Sequence, residues 1–124
     1  MANPNIVNVA TINGKTATVA LSTTSATAIV SNAAASGKIY KINCLYVANV
    51  DGVNSASITI NLYSAADIGG TAYPVCYTIT VPADATLIVI AKDAPIYLEE
   101  DKSIGAMAST ANDLVVIASY EEIS

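Results

Sequence analysis

The chain has 124 residues, of which 53% are apolar, ten are acidic and five are basic, so one compact domain over residues 1–124 is expected and a disordered linker is excluded. His, Arg, Gln, Trp and Phe do not occur in it. The commonest general base and the guanidinium group that grips phosphate are therefore missing. We predict that the protein is not an enzyme and has no cofactor.

The charge balance argues against nucleic acid as a partner, and the short apolar runs argue against a membrane. A net charge of −5 without any Arg argues against binding nucleic acid, whose phosphates are neutralised by basic side chains. Met1–Asn5 has no basic region followed by an apolar core, so no secretory signal is expected. Uninterrupted apolar runs such as Leu114–Ala118 are far shorter than the roughly 18 residues of a membrane span.

The composition favours β-strands. Ile, Val and Thr are abundant, and these stiff β-branched side chains suit a pleated surface. Ala is also common, but most alanines stand beside Ser, Thr or Asn, without the repeat of three and four residues that a helix requires. At most one helical turn is expected, over residues 32–36.

The amino-terminal part predicts a hairpin. Ile6–Ile12 and Thr16–Leu21 flank Asn13-Gly14, the dipeptide that best fits a type I′ turn. The Ser/Thr/Ala-rich stretch Ser22–Ser36 predicts a weak strand and a loop. Residues 1–37 are therefore expected to pack on the core or to extend from it.

Two central segments predict strong strands. Ser57–Tyr63 alternates apolar and polar residues, the period of a half-buried strand. In Lys38–Val50 the part Leu45–Val47 is apolar on both faces, so it should be covered on both sides, by a second sheet and a loop or by a neighbouring subunit. Asp51-Gly52 predicts the turn between the two segments.

The remaining chain predicts short strands at regular spacing, with Ile68–Thr71 as a turn before them. These strands are Val75–Val81, Thr86–Ala91, Ile96–Leu98, Ser103–Ala108 and Leu114–Tyr120. The total of nine or ten short strands without a linker predicts an all-β, single-domain antiparallel sandwich or barrel.

Acidic residues cluster in the carboxy-terminal half. Asp93, Glu99, Glu100 and Asp101 are weak candidates for calcium ligands, because carboxylate oxygens suit that ion. Their spacing is not that of a defined calcium loop. The favoured interpretation is a solvated end of the sheet whose charges discourage unwanted strand pairing, and no metal site.

Cys44 and Cys76 lie on different predicted strands. A disulfide remains open if those strands are neighbours. Two buried free thiols are the favoured interpretation, since a protein made in a reducing cytosol keeps its thiols reduced.

Tyrosine is the only aromatic residue type in the chain, and its apolar ring with a polar tip suits protein interfaces. Tyr63, on the polar side of its strand, is the best interface candidate. Tyr46, Leu45 and Val47, in the strand that is apolar on both faces, are further candidates. Tyrosines also bind sugars, so a carbohydrate-binding or adhesive module is an alternative that the lack of Trp weakens.

Four phrases between Ile39 and the end of the chain carry a resemblance: Leu45–Gly52, Val81–Asp84, Lys92–Glu100 and Ser119–Ile123. In these phrases the chain resembles small virion structural proteins of marine and cyanobacterial tailed bacteriophages. It departs from them after Glu100, where Asp101-Lys102-Ser103 stands in place of a Gly-Asp continuation, which alters one turn.

The resemblance implies a jelly-roll-like β-sandwich in the virion, made in the host cytoplasm. It implies a capsid decoration or cement protein that stabilises the particle, or alternatively a neck, tail or fibre-attachment accessory protein. The implied partners are the major capsid protein or the neck and tail proteins. A homo-oligomer is expected because sheet edges need covering, and a trimer is the leading prediction.

Overall fold

The computed structural model describes residues 4–124. These residues form nine strands and no helix. The strands are β1 (Ile12–Ala20), β2 (Thr27–Asn32), β3 (Ile39–Asn49), β4 (Ala56–Ala65), β5 (Gly69–Val81), β6 (Thr86–Ile90), β7 (Ile96–Leu98), β8 (Lys102–Ala108) and β9 (Leu114–Ile123). The described residues hold no helix with the length and hydropathy needed to span a membrane.

The strands form two antiparallel sheets that pack face to face. Sheet A has the order β1-β9-β3-β6, and β7 also pairs with β3. Sheet B has the order β2-β8-β4-β5. Because β6 and β7 pair with successive halves of β3, they share one edge position, and the eight positions have the strand order of a jelly roll. The predicted all-β, jelly-roll-like sandwich is confirmed.

The core lies between the sheets and follows the period of two along each strand. Leu45 and Val47 of β3 face Ile58 and Ile60 of β4 across this core, and all four are fully buried. Val116 of β9 belongs to the same cluster. The apolar face that the sequence shows in these segments therefore lies in the core, and in β4 the opposite face, with Thr59 and Asn61, is buried as well.

The predicted amino-terminal hairpin is wrong. Asn13 and Gly14 lie inside β1, opposite Glu122 and Glu121 of β9. The preference of Asn-Gly for a turn is local, whereas β9 offers a full ladder of partners to all nine residues of β1. Of the predicted segment 1–37, residues 1–3 lie outside the described part of the chain.

Two smaller expectations also change. The turn expected at Ile68–Thr71 lies earlier, at residues 66–68, because Gly69 already begins β5. The single helical turn allowed over residues 32–36 is a simple turn in which Ala35 has a φ of 56°. The Ser/Thr/Ala-rich stretch contains β2, as expected.

Candidate protein interface

The part Leu45–Val47 of β3 is apolar on both of its faces. Since Leu45 and Val47 are buried in the core, Tyr46 between them points to the other side of sheet A. Tyr46 lies opposite Ile88 of β6 and opposite Ile117 of β9. Residues directly opposite each other in a ladder share a face, so these three side chains form a row across the outside of sheet A.

Parallel rows extend this surface on either side. Ala48 lies opposite Thr86 and Val115, and Cys44 lies opposite Ser119. The register of β1 with β9 adds three more residues at the edge of the sheet. We call this surface the outer A face, and its residues are Thr16, Thr18, Ala20, Cys44, Tyr46, Ala48, Thr86, Ile88, Val115, Ile117 and Ser119.

None of the residues of the outer A face is charged. The solvated face of an antiparallel sheet is normally polar, but this one carries Tyr46, Ile88, Val115 and Ile117. The side chain of Ile88 is 59% exposed. Four strands and three rows of side chains make a patch of about 400 Å². The apolar side chains within it are contiguous across β3, β6 and β9, and contiguous exposed apolar patches on soluble proteins are often functional.

Charged residues lie beyond one end of this face. Lys15 and Lys38 both hold the carboxylate of Glu122, with Nζ to Oε2 and Oε1 distances of 2.8 and 2.9 Å. These hydrogen bonds lower the pKa of Glu122 below its usual range, while the carboxylate raises the pKa of Lys15. The rings of Tyr40 and Tyr120 lie beside them, 5.3 Å apart between centroids. The charges of Lys15, Lys38 and Glu122 are therefore paired within the chain.

Both cysteines are free and half-buried, and they lie in different sheets. A hydrogen bond with Cys44 raises the pKa of the Tyr46 phenol, so this ring stays neutral at physiological pH. Burial raises the pKa of the Cys76 thiol. The phenol of Tyr46 therefore adds no charge to the outer A face.

One of the four predicted interface residues lies on the outer A face, where its interface role stays a prediction. Tyr46 lies on the outer A face, but Leu45 and Val47 are in the core, and the prediction is wrong for both. It is also wrong for Tyr63, which is 7% exposed. The ring of Tyr63 covers Gly105, where an added Cβ would lie 2.9 Å from Tyr63 Cε2. A glycine inside a strand is the sequence signal for such close packing.

Sequence reasoning missed Ile88, Val115 and Ile117. A signal for them exists, because Leu114–Ala118 and Thr86–Ile90 are apolar on both faces. Only the register between the strands shows that these side chains share one surface with Tyr46.

The four candidate calcium ligands do not form a metal site. Asp93, Glu99 and Asp101 are exposed, and Asp101 Oδ1 accepts a hydrogen bond from the backbone N–H of Ala66. Across residues 4–124, no group of three or more His, Cys, Asp or Glu side chains is placed to hold a metal ion. Asp101 instead fastens the turn between β4 and β5.

The outside of sheet B carries a depression of about 220 Å³. Two of its hydroxyl groups are already engaged, since Thr59 Oγ1 accepts from the N–H of Thr78 and Ser109 Oγ accepts from that of Ser57. Its lining contains no aromatic side chain on which a sugar ring would stack. The lining residues are Thr24, Ser57, Thr59, Thr78, Met107, Ala108 and Ser109.

No protein-family model and no curated protein matches this chain. Solved structures do match. A chain from the disulfide-linked pili of Bacillus endospore appendages superimposes with a TM-score of 0.54 at 17% identity, over 92% of this chain and 88% of that one. A chain from the acid-stable capsid of Helicobacter pylori bacteriophage KHP30 superimposes with a TM-score of 0.53 at 10% identity, over 94% and 90%. These similarities show a shared fold.

Proposed function

We propose that this chain is a non-enzymatic structural subunit of a bacteriophage virion, packed against neighbouring virion proteins through its outer A face. The observation that carries the proposal is the uncharged, partly apolar outside of sheet A. In an isolated soluble domain this face is normally polar, so a neighbouring protein is its natural cover.

Two further observations support the virion. The jelly roll is the fold of a phage capsid chain and of a pilus chain, both of which belong to repeated assemblies. The phrases in the chain from Ile39 onward resemble virion structural proteins of tailed phages. Neither observation specifies a host, and the marine and cyanobacterial origin stays a prediction.

Within the virion, we favour a capsid decoration or cement protein made in the host cytoplasm. A small domain with an uncharged, partly apolar face is suited to lie on a shell of repeated subunits, with the major capsid protein as its partner. A neck, tail or fibre-attachment protein is the alternative within the same class. The predicted trimer is kept as a proposal about the symmetry of the assembly on the particle, not of the chain in solution.

Mass spectrometry of purified particles tests the assignment. A decoration protein is expected at a copy number tied to the capsid lattice, whereas a few copies per particle would favour the neck or tail. Absence of the chain from the particles would overturn the virion role.

A matched pair of variants tests the surface. Ile117→Lys places a charge in the centre of the outer A face and should reduce incorporation into particles at least tenfold. Val53→Lys makes the same kind of change at a loop residue that is 85% exposed, and should leave incorporation unchanged. Equal incorporation of the two variants, both folded by circular dichroism, would show that the outer A face is not the interface.

A further inference from the structure

Four edges bound the two sheets, and three of them carry features that discourage strand pairing. The strand β5 contains Pro74 and is shifted in register against β4, with Thr78 at a φ of 48°. The strand β2 has six residues and a shift between Ala28 and Val30. The fourth strand position of sheet A is divided between the short strands β6 and β7. Prolines, bulges and short strands all protect an edge.

The edge formed by β1 has none of these features. Its nine residues pair with β9 in one unbroken register, and none of them is Pro. Its one charged residue, Lys15, is held by Glu122. Within residues 4–124, no strand pairs with the other side of β1. Such an edge is a template for another strand.

The hydrogen bonds at both ends of β1 show which backbone groups are free. Thr11 and Ser124 exchange two bonds of 3.0 Å, and the N–H of Leu21 donates to Leu114 O at 2.9 Å. Hydrogen-bonded pairs alternate along an antiparallel ladder, so the odd-numbered residues of β1 bond to β9. The residues whose N–H and C=O groups point to the free edge are Ile12, Gly14, Thr16, Thr18 and Ala20.

We propose that β1 pairs with β1 of a second copy of this chain, antiparallel, about a two-fold axis at Thr16. Thr16 then lies opposite its counterpart, Gly14 opposite Thr18, and Ile12 opposite Ala20. The two-fold repeats the last two pairs, so five pairs form in all. Each pair exchanges two bonds, which gives about ten backbone hydrogen bonds between the copies.

The sequence of β1 fits this register better than it fits the two neighbouring registers. Lys15 lies opposite Ala17, so no like charges meet, and the central pair is Thr with Thr, which is favourable across strands. Centring the pairing on Lys15 or on Ala17 loses one of the five hydrogen-bonded pairs. Centring on Lys15 also sets two ammonium groups against each other. This self-complementarity identifies a second copy as the occupant.

The pairing makes sheet A continuous across the two copies. Because the two-fold axis is perpendicular to the sheet, both outer A faces point in the same direction. Together the two outer A faces cover about 800 Å², the area that one partner contributes to an interface of standard size, and Glu121 of each copy lies at their border. The use of this surface in a virion rests on the proposed function, whereas the pairing itself does not.

Light scattering after size exclusion measures the pairing directly. At micromolar concentration the measured molar mass should be twice the chain mass of 12.6 kDa. Thr16→Lys should raise the dissociation constant at least tenfold, because two lysines would meet at the axis, while Thr16→Val should not. Ser119→Lys changes the same face on the neighbouring strand β9 and should stay dimeric. The Ser119→Lys variant should nevertheless lose binding to the virion. A dimer that still binds particles would count against the proposed function, whereas a monomeric wild-type chain would count against the pairing.

Cross-linking tests the register in a Cys44→Ala, Cys76→Ala background. Opposed residues of a hydrogen-bonded pair have Cα atoms about 5.5 Å apart, within reach of a disulfide. Thr16→Cys should therefore oxidise to a covalent dimer, whereas Thr18→Cys, which faces Gly14, should not. A monomeric wild-type chain, an unaffected Thr16→Lys dimer or equal cross-linking at both positions would each overturn the proposal.

Discussion

Gly105 has a tight environment inside β8. A Cβ at this position would lie 2.6 Å from Ile68 Cγ2 and 2.9 Å from Tyr63 Cε2. We expect Gly105→Ala to destabilise the fold by about 1–3 kcal/mol, as overpacking does, because Ile68 and Tyr63 would have to move. Urea unfolding measures the loss.

Gly14 supplies the matched control for this substitution. It is also a strand glycine, but a Cβ there meets nothing within 4 Å. Gly14→Ala should leave the stability unchanged or raise it by up to about 1 kcal/mol, since Ala restricts the unfolded chain. Equal loss of stability in the two variants would show that close packing at Gly105 is not the cause.

Glu122 makes stability depend on pH. Its pKa is lowered because Lys15 and Lys38 hydrogen-bond to the carboxylate. A lowered pKa in the folded state means that the stabilisation is complete above the usual value of 4.5 and is lost as the pH falls through the folded pKa. We expect the melting temperature of the wild type to fall as the pH decreases below about 4.5.

Glu122→Gln removes this titration while keeping the shape of the side chain. The variant should melt at a lower temperature than the wild type near neutral pH, and the difference should shrink as the pH falls below 4.5. A constant difference across that range would mean that Glu122 acts through packing alone.

Buried asparagines show where residue-level prediction from sequence stops. Asn49 is 4% exposed, and its Nδ2 donates to the backbone oxygens of Asn54 and Val81. Asn32 is fully buried and donates to the oxygens of Lys38 and Leu98. Most of these partners lie far along the chain or in loops. Their positions depend on the finished fold, so composition and periodicity do not reveal them.

At the scale of a single strand, neighbouring residues of β3 have different roles. Leu45 is fully buried, so Leu45→Ala should destabilise the chain by about 2–5 kcal/mol. Tyr46→Ala should leave the urea unfolding of the isolated chain nearly unchanged and should instead weaken binding to particles. Unfolding and particle binding measured on both variants check this, and a large stability loss in Tyr46→Ala would contradict the assignment.

Element-level prediction succeeded where the hydrophobic period was strong and failed where a local turn signal competed with long-range pairing. The alternation in Ser57–Tyr63 correctly predicted β4 and the burial of Ile58 and Ile60. The expected exposure of its other face was wrong, because Thr59, Asn61 and Tyr63 are buried too. Asn13-Gly14 wrongly predicted a turn, because β9 is long enough to pair with β1 throughout. The strand order was beyond prediction, because neighbouring strands such as β1 and β9 come from opposite ends of the chain.

At the scale of the whole molecule, the acidic loop residues lie away from the outer A face and the free edge of β1. Acidic loop residues lie at the ends of the sandwich, with Asp51 and Asp84 in adjacent loops joined by a backbone hydrogen bond. The middle of the outer A face and the free edge of β1 carry no unpaired charge. Contacts through these surfaces depend on apolar burial and on backbone hydrogen bonds, and both are only weakly screened by salt.

The separation of charged loops from the two proposed interfaces predicts how assembly responds to salt. Raising sodium chloride from about 0.05 to 0.5 M shortens the Debye length to a few ångströms, which weakens contacts between exposed charges. Binding to particles and pairing of two copies should change less than threefold over this range, and ammonium sulfate should strengthen both because it favours apolar burial. Sedimentation at matched protein concentrations measures both equilibria. A loss of tenfold or more with sodium chloride would place the interface at the charged ends of the sandwich rather than on the outer A face.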